Sequence, residues 1–333
     1  MANNQEKLLV VENLTMEYRS PKRLFQKQKP SVKAVNNVSF DVREGETFGV
    51  VGESGCGKTT LGKCVVRLLK PAEGKMFYND NGEMKDLLAL NRKESHAMRQ
   101  KVQIVFQDPY ASLNPMHTIL EAFDEPMRVH GIGGSKEERK ELIAQALQRV
   151  NLQPEYMYRY PHEFSGGQRQ RICVAKSLVL NPKLIVLDEP VSALDVSIQA
   201  QLLNLMRKLQ KELGVAFIFI AHDLSVVQYM SDRIAVMYLG NVVEMGDANE
   251  LYEKRLHPYT DALLSAVPVP VYNAKKDRVI LEGDVPSPMN PPSGCPFHPR
   301  CSKCMEICKQ VKPELKKMSE SGYSVACHLY DEK

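Results

Sequence analysis

The run Gly52-Glu53-Ser54-Gly55-Cys56-Gly57-Lys58-Thr59, set between an apolar stretch (Thr47–Val51) and a helical one (Thr59–Leu69), constrains this chain more than any other feature. It is the phosphate-binding loop G-x-x-x-x-G-K-S/T, in the strand–loop–helix setting that the loop needs. Glycines let the backbone wrap an anion with its N–H groups, and a helix N-terminus adds positive potential at the same point. Lys58 then reaches the β- and γ-phosphates of a nucleotide, the Thr59 hydroxyl ligates Mg2+, and Thr60 lies next to it in the cradle. The expectation is an α/β fold with a nucleotide site at the end of a buried strand.

A second stretch, Phe164–Asp195 (FSGGQRQRICVAKSLVLNPKLIVLDEPVSALD), suits the same chemistry. Ser165, Gly166 and Gly167, followed by Gln168, make a small-residue turn that opens a helix, a natural anion site. Leu184–Leu187 reads as a buried strand ending in Asp188 and Glu189, two adjacent carboxylates able to hold a metal ion and polarise a water. Ser192–Asp195 is a second tight turn. Two further strand ends belong with these. Lys101–Phe106 closes on Gln107-Asp108-Pro109, where Gln107 can touch both Mg2+ and the attacking water. Val215–Ile220 ends in Ala221-His222-Asp223, where His222 reads as a γ-phosphate sensor.

The remaining pattern surrounds these motifs with alternating strands and helices. Leu8–Tyr18 and Val38–Val42 read as strands, and Gly74–Asn91 as a short antiparallel segment turning at Asn79-Asp80-Asn81-Gly82. From Ala111 to about Glu163 the period is helical: Ile119–His130 and Lys136–Val150 are amphipathic, separated by Gly131-Ile132-Gly133-Gly134. Ser197–Leu213 is helical, Arg233–Val236 and Val242–Met245 are closing strands, and Asn249–Arg255 and Thr260–Ala266 are helices. From Val267 the texture turns Pro-rich (Pro268, Pro270, Pro286, Pro288, Pro291, Pro292), the mark of a wrapped tail or a small cysteine-pinned module rather than a second core. The expected division is residues 1–266 as the nucleotide-binding domain, with a helical insertion at about 111–165, and 267–333 as an extension.

Composition removes several classes. The 333 residues are 43% hydrophobic and 25% charged, ordinary for a folded chain. Apolar runs such as Leu184–Leu187 and Val215–Ala221 fall far short of the ~20 residues a bilayer demands. The start, MANNQEKLL, lacks the basic-then-apolar order of a signal peptide, so a cytosolic protein is expected. A net charge of +4 gives no case for nucleic acid. Lys22–Lys33, with Lys22, Arg23, Lys27, Lys29 and Lys33 and no acid, reads as a solvated loop, with contact to lipid headgroups or a membrane partner as the alternative. Cys295, Cys301, Cys304, Cys308 and Cys327 crowd into the last forty or so residues; in a reducing cytosol such crowding favours metal over disulfide. Thiolates suit zinc or an iron–sulfur cluster, and the spacing is not that of a ferredoxin.

Taken together, the Gly52–Thr59 loop, Gln107, Phe164–Gln168, Leu184–Glu189, Ser192–Asp195 and His222 stand in the order of an ABC transporter ATP-binding subunit, and the chain resembles that family over nearly its whole length. Phe106–Pro115 (FQDPYASLNP), Asp195–Gln201 (DVSIQAQ), His257–Pro268 (HPYTDALLSAVP) and Cys295–Cys301 (CPFHPRC) resemble the oligopeptide/dipeptide importer branch. Gln168 is closer to the second of that branch's two ATPase subunits, the F type, whose partner usually has Met there. Two departures are small: Phe164 stands for the commoner Leu, and Ala175-Lys176-Ser177 for Ala-Arg-Ala.

The resemblance implies a P-loop NTPase (RecA-like) core with an antiparallel β subdomain, a helical subdomain and a cysteine-containing extension. It implies ATP and Mg2+, with Tyr18 stacking on adenine, Lys58 and Thr59 on phosphate and metal, Gln107 and Asp188 completing the metal shell, Glu189 polarising water and His222 on the γ-phosphate. Asp195 would lie at an interface between two ATPase subunits. Ser165, Gly166, Gly167 and Gln168 would serve the nucleotide of the neighbouring subunit, so Phe164–Asp195 is two half-sites rather than one centre. The implied partners are a second ATPase subunit in a heterodimer, two permeases and an extracytoplasmic binding protein, with the chain peripheral on the cytoplasmic membrane face. The implied cargo is peptide, with nickel chelates or another solute as the alternative. A soluble ABC ATPase acting on DNA or the ribosome fits less well, as does a catalytically silent partner. For the tail, relatives imply a 4Fe–4S cluster on Cys295, Cys301, Cys308 and Cys327, with Cys304 as an extra thiol; zinc, with His298 or His328, and free thiols are the alternatives.

Overall fold

Apolar runs that the sequence marks as strands become the buried strands of two compact units in the computed structural model, which describes residues 6–19, 31–266, 281 and 283–331. One unit comprises Met1–Leu9, Val42–Thr47 and Tyr78–Ile220; the other comprises Val10–Asp41, Phe48–Phe77 and Ala221–Lys333. Most of the basic stretch (22–30), and Pro268 and Pro270, lie outside the described residues.

In the first unit the strands Val102–Val105, Leu184–Asp188 and Ala216–Ala221 run parallel in that order, with Val105 opposite Leu187 and Asp188 opposite Ile220. Every residue of the latter two strands is buried, as parallel strands covered on both faces require. The helix Gly166–Leu178 packs on the Val102–Val105 strand and on the helix Val196–Leu213. The insertion is helical as expected. Ile119–Val129 begins at Thr118, whose hydroxyl and Glu121 form a reciprocal capping box, and Lys136–Arg149 is capped by Ser135; such caps contribute about 1 kcal/mol each. Buried Phe123 and Met127 on one helix, and Ile143 and Leu147 on the other, form its interior. One helix of this unit, Arg92–Lys101, is absent from the sequence reading. It buries only Met98, so it shows almost no apolar stripe, and only the Asn91–Glu94 capping box announces it.

In the second unit the strand Thr47–Val51 runs parallel to Arg233–Tyr238, with Val50 opposite Ala235. A tight turn with Leu239 and Gly240 both at positive φ returns the chain into Asn241–Asp247, antiparallel to Arg233–Tyr238 and bulged between Val242 and Glu244. The described part of the tail adds two short strands to this sheet. Ser324–Val325 pairs with Asn241–Asp247, Lys316–Lys317 pairs with Ser324–Val325, and Phe297, Tyr323 and Val325 are core residues. The helix Leu224–Met230, also unread from the sequence, has just seven residues, too few for a period to stand out. The helix expected over Thr59–Leu69 spans Lys58–Val65 and stops before Arg67, which turns to φ 59.

A buried carboxylate ties the tail to this sheet. Glu244 is fully buried and accepts the N–H groups of Leu256 (2.7 Å) and His257 (3.1 Å) and the Tyr323 hydroxyl. Burial raises its pKa. His257 caps the helix Pro258–Ser265 by accepting the Tyr259 N–H at its Nδ1, 3.1 Å away, and burial pushes its pKa down from 6.5 to about 3. The folded protein therefore excludes a proton that the unfolded chain binds below about pH 6.5. The stability that His257 contributes is present above that pH and is lost as the pH falls towards 3. In His257→Asn, which keeps a cap acceptor, the deficit in thermal midpoint against wild type is expected to be largest near neutral pH and to shrink steadily on acidification; a deficit constant with pH would contradict this.

Candidate functional site

The phosphate loop belongs to the second unit and is held from behind. Gly57, the N-cap of the Lys58–Val65 helix, sits at φ 105, and a Cβ there would come within 2.0 Å of the Ala34 carbonyl oxygen, so a side chain is excluded twice over. The Gly240 N–H donates to the Cys56 carbonyl at 2.9 Å, which fixes the loop against the hairpin turn. Lys58 is buried, and its Nζ donates to the carbonyls of Gly52 (2.7 Å) and Glu53 (3.0 Å), which holds the ammonium inside the curve of its own loop. Ser54 and Gly55 form the exposed tip, and Thr59 and Thr60 lie half-buried in the first helical turn. Tyr18 ends the strand Lys7–Tyr18 with 44% of its surface exposed. His222 follows the last residue of the Ala216–Ala221 strand and is exposed; the next residue, Asp223, caps the Leu224–Met230 helix.

The acidic strand belongs to the first unit. Asp188 is its buried last residue. Glu189 adopts φ 47, a left-handed conformation that costs a glutamate roughly 1 kcal/mol or more. It is held there by its N–H donating to the Ile220 carbonyl at 2.9 Å. Gln107 Nε2 donates to Glu189 Oε2 (3.0 Å) and to Ser192 Oγ (3.4 Å), and Ser192 Oγ donates to the Glu189 carbonyl (3.1 Å). Gln107, Glu189 and Ser192, up to 85 positions apart in sequence, thus form one polar network, in which Ser192 opens the second tight turn.

The signature turn lies in the same unit. The Gln168 N–H donates to Ser165 Oγ (3.3 Å) and the Ser165 N–H to Gln168 Oε1 (3.0 Å), so Gln168 is used locally, in a capping box. Asp195 caps the Val196–Leu213 helix by accepting the Ile198 N–H (3.1 Å) and the Ser197 hydroxyl (2.9 Å), and these two bonds hold its carboxyl below the usual range. Gly167 faces that helix, where a Cβ would approach Ile198 Cγ2 to 2.5 Å. Gly166 comes near Leu194, so the two small turns at the ends of Phe164–Asp195 are packed together.

Thr59 offers a hydroxyl, Asp188 a carboxylate and Gln107 an amide oxygen, the hard oxygen donors that suit Mg2+. The cysteine tail fits its expected metal less well. All five tail cysteines are free thiols, with Cys295 and Cys308 buried. Burial raises Cys295 and Cys327 to about 11 each, and neighbouring thiols, Cys301 and Cys308 among them, add to this. The four expected ligands are therefore neighbours. Among the described residues, however, no group of three or more His, Cys, Asp or Glu side chains is placed to hold a metal ion, so the geometry does not support the expected cluster or zinc site. His328 is committed on both ring nitrogens, to Asp331 (2.6 Å) and to the Val311 carbonyl (2.9 Å). His298 Nδ1 lies 3.0 Å from the Cys295 carbonyl.

Two residues that no motif spacing marks also reach the phosphate loop. The Glu53 N–H donates to Tyr259 Oη at 2.9 Å, and Arg300 donates to both Glu53 carboxylate oxygens at 2.8 and 3.2 Å. Their only signal in the sequence is that they sit inside the HPYTDALLSAVP and CPFHPRC segments.

The Gly167–Ile198 contact yields a direct test. Gly167→Ala drives a methyl into Ile198, so the thermal midpoint is expected to drop with ~2 kcal/mol of strain. Adding Ile198→Ala should recover most of that loss. If the second substitution does not recover it, the steric account fails.

Comparison with known proteins places these features in a family. Residues 35–192 match the ABC transporter family, and residues 243–308 match the family described as oligopeptide/dipeptide transporter, C-terminal region. YkfD of Bacillus subtilis (strain 168), named for oligopeptide transport and ATP binding, is 51% identical over 325 residues, covering 97% of this chain and 95% of that protein. AppF of the same organism, an oligopeptide transport ATP-binding protein, is 49% identical over 332 residues, 99% of each chain. Among solved structures, the dimeric MJ0796, a bacterial ABC transporter cassette, aligns with a TM-score of 0.63 at 28% identity over 72% of this chain and 99% of that one. The cbiO1 protein of Clostridium perfringens, part of the ABC transporter complex cbiONQ, aligns with a TM-score of 0.62 at 26% identity over 75% and 92%. The chain therefore has the P-loop ATPase cassette fold and belongs to the ATP-binding subunits of the oligopeptide/dipeptide branch of ABC transporters.

Proposed function

We propose that this chain hydrolyses ATP to power peptide import across the cytoplasmic membrane. It would work peripherally on the inner face, paired with a second ATPase subunit and docked on two permeases fed by an extracytoplasmic binding protein. The observation that carries this reading is the identity of 49–51% with peptide-transport ATPases along nearly the whole chain, the C-terminal region included. Among the described residues no helix is long and apolar enough to cross a membrane. We divide the chain into a nucleotide-binding domain, 1–266, and an extension, 267–333.

The proposed roles are those that the family resemblance implies and that each group's chemistry allows. The loop Gly52–Thr60 and Lys58 bind the phosphates, Tyr18 stacks on adenine, and Thr59, Gln107 and Asp188 hold Mg2+, whose charge offsets that of the phosphates. Glu189, oriented by Gln107, polarises the attacking water, and His222 contacts the γ-phosphate. Ser165, Gly166, Gly167 and Gln168 serve the nucleotide of the partner subunit. Such a site acts by positioning and charge stabilisation, and the closing and opening of two subunits transmits the work. A 4Fe–4S cluster in the tail has only the donor chemistry of Cys295, Cys301, Cys308 and Cys327 in its support; anaerobically purified protein that is colourless and free of iron would remove it.

In the transporter reconstituted in vesicles, Glu189→Gln is expected to lower peptide-stimulated hydrolysis by about 100-fold or more and to abolish uptake of a labelled peptide. Unchanged hydrolysis would assign the work to the other subunit, and uptake of nickel chelates without peptide would reassign the cargo. Substituting Ser165 should slow hydrolysis at the site whose phosphate loop lies on the partner subunit, measured by single-site labelling with a photoreactive nucleotide.

A further inference from the structure

An acidic residue in a phosphate loop is electrostatically costly, and Glu53 is one. A carboxylate on a loop that binds polyphosphate repels the ligand, the more so where solvent screens the interaction weakly. Here that carboxylate is gripped. Arg300 meets both of its oxygens, at 2.8 and 3.2 Å, in the bidentate geometry that gives guanidinium–carboxylate pairs their strength. Only 8% of the Arg300 side chain is exposed, against 26% of Glu53, so solvent screens the pair weakly. The backbone of Glu53 is held as well, its N–H committed to Tyr259 Oη at 2.9 Å.

Both arms of this grip are rigid. Tyr259 stands in the first turn of the helix that His257 caps and is itself fully buried. Phe297, three residues before Arg300, packs its ring 5.3 Å from those of Tyr259 and Tyr238, and the Tyr238 and Tyr259 rings lie 4.8 Å apart. The Arg300 N–H closes a turn onto the Phe297 carbonyl at 3.0 Å. The aromatic cluster therefore fixes both donors with respect to each other and to the loop.

We infer that Arg300 and Tyr259 are positioning residues for nucleotide binding: Arg300 neutralises and orients the Glu53 carboxylate, and Tyr259 fixes the Glu53 peptide, so that the loop meets ATP preorganised and without a repelling charge. Holding a glycine-rich loop in its binding conformation before the ligand arrives removes an ordering cost from binding. The inference rests on the loop being the nucleotide site, as proposed above.

The test is MgATP affinity of the full-length chain, measured by displacement of a fluorescent ATP analogue, alongside the thermal midpoint without nucleotide. Arg300→Ala is expected to weaken ATP about 10-fold. Adding Glu53→Gln to Arg300→Ala removes the unpaired charge and should restore most of the loss, a coupling that two independent effects would not show. Wild-type affinity in Arg300→Ala, or a double variant no better than the single, would overturn the inference. Should Arg300→Ala fail to fold, Tyr259→Phe, which loses one hydroxyl, carries the test: a weakening of roughly 3-fold supports the inference, and unchanged affinity overturns it. If the wild-type chain itself binds no ATP, the nucleotide-site reading falls first, and this one with it.

Discussion

A glycine-rich loop that offers its own backbone as its working surface has few side chains to fix it, so its shape has to be imposed by what lies behind it. Gly57 pressed against the Ala34 carbonyl and the Gly240 N–H bonded to Cys56 show how tightly this is done. Both contacts come from segments that a strand pattern places only in outline, and both depend on main-chain atoms that any sequence would supply. What the sequence must supply is the absence of a Cβ at Gly57 and the positive-φ turn at Leu239–Gly240.

Carboxylates carry much of the remaining organisation, and their environments set them apart. Glu189 is kept in an unfavourable backbone conformation within a network of amide and hydroxyl donors, the condition of a group placed for chemistry. Glu244 is buried among donors from two segments, Leu256–His257 and Tyr323, with its pKa raised; it organises the return of the tail onto the sheet. Glu53 is the intermediate case, a partly exposed charge on the phosphate loop that is matched by an arginine. Three glutamates of identical chemistry are separated by what donates to them.

Much of this was legible in the residues. The strand–loop–helix around Lys58, the strand ending in Asp188 and Glu189, and the helical insertion all announce themselves by periodicity and by small residues at turns. Others stay silent for physical reasons. Arg92–Lys101 has one buried side chain and so no stripe to detect. Ser324–Val325 and Lys316–Lys317 are two residues each, and a pairing set by a distant strand has no local period. The Arg300–Glu53 contact spans 247 positions, and no spacing rule reaches so far. The sequence reading of the cysteines names donors by type, whereas a metal site also needs their geometry.

That span also bears on the making of the protein. Chains emerge from the ribosome N-terminus first and begin to fold as they do so, and the phosphate loop appears long before Arg300 has been joined to the chain. On the inference drawn from this contact, a chain not yet extended to Arg300 carries an unpaired Glu53 carboxylate on its phosphate loop. The loop's motif is local in sequence, but the charge balance around it is set 247 positions away.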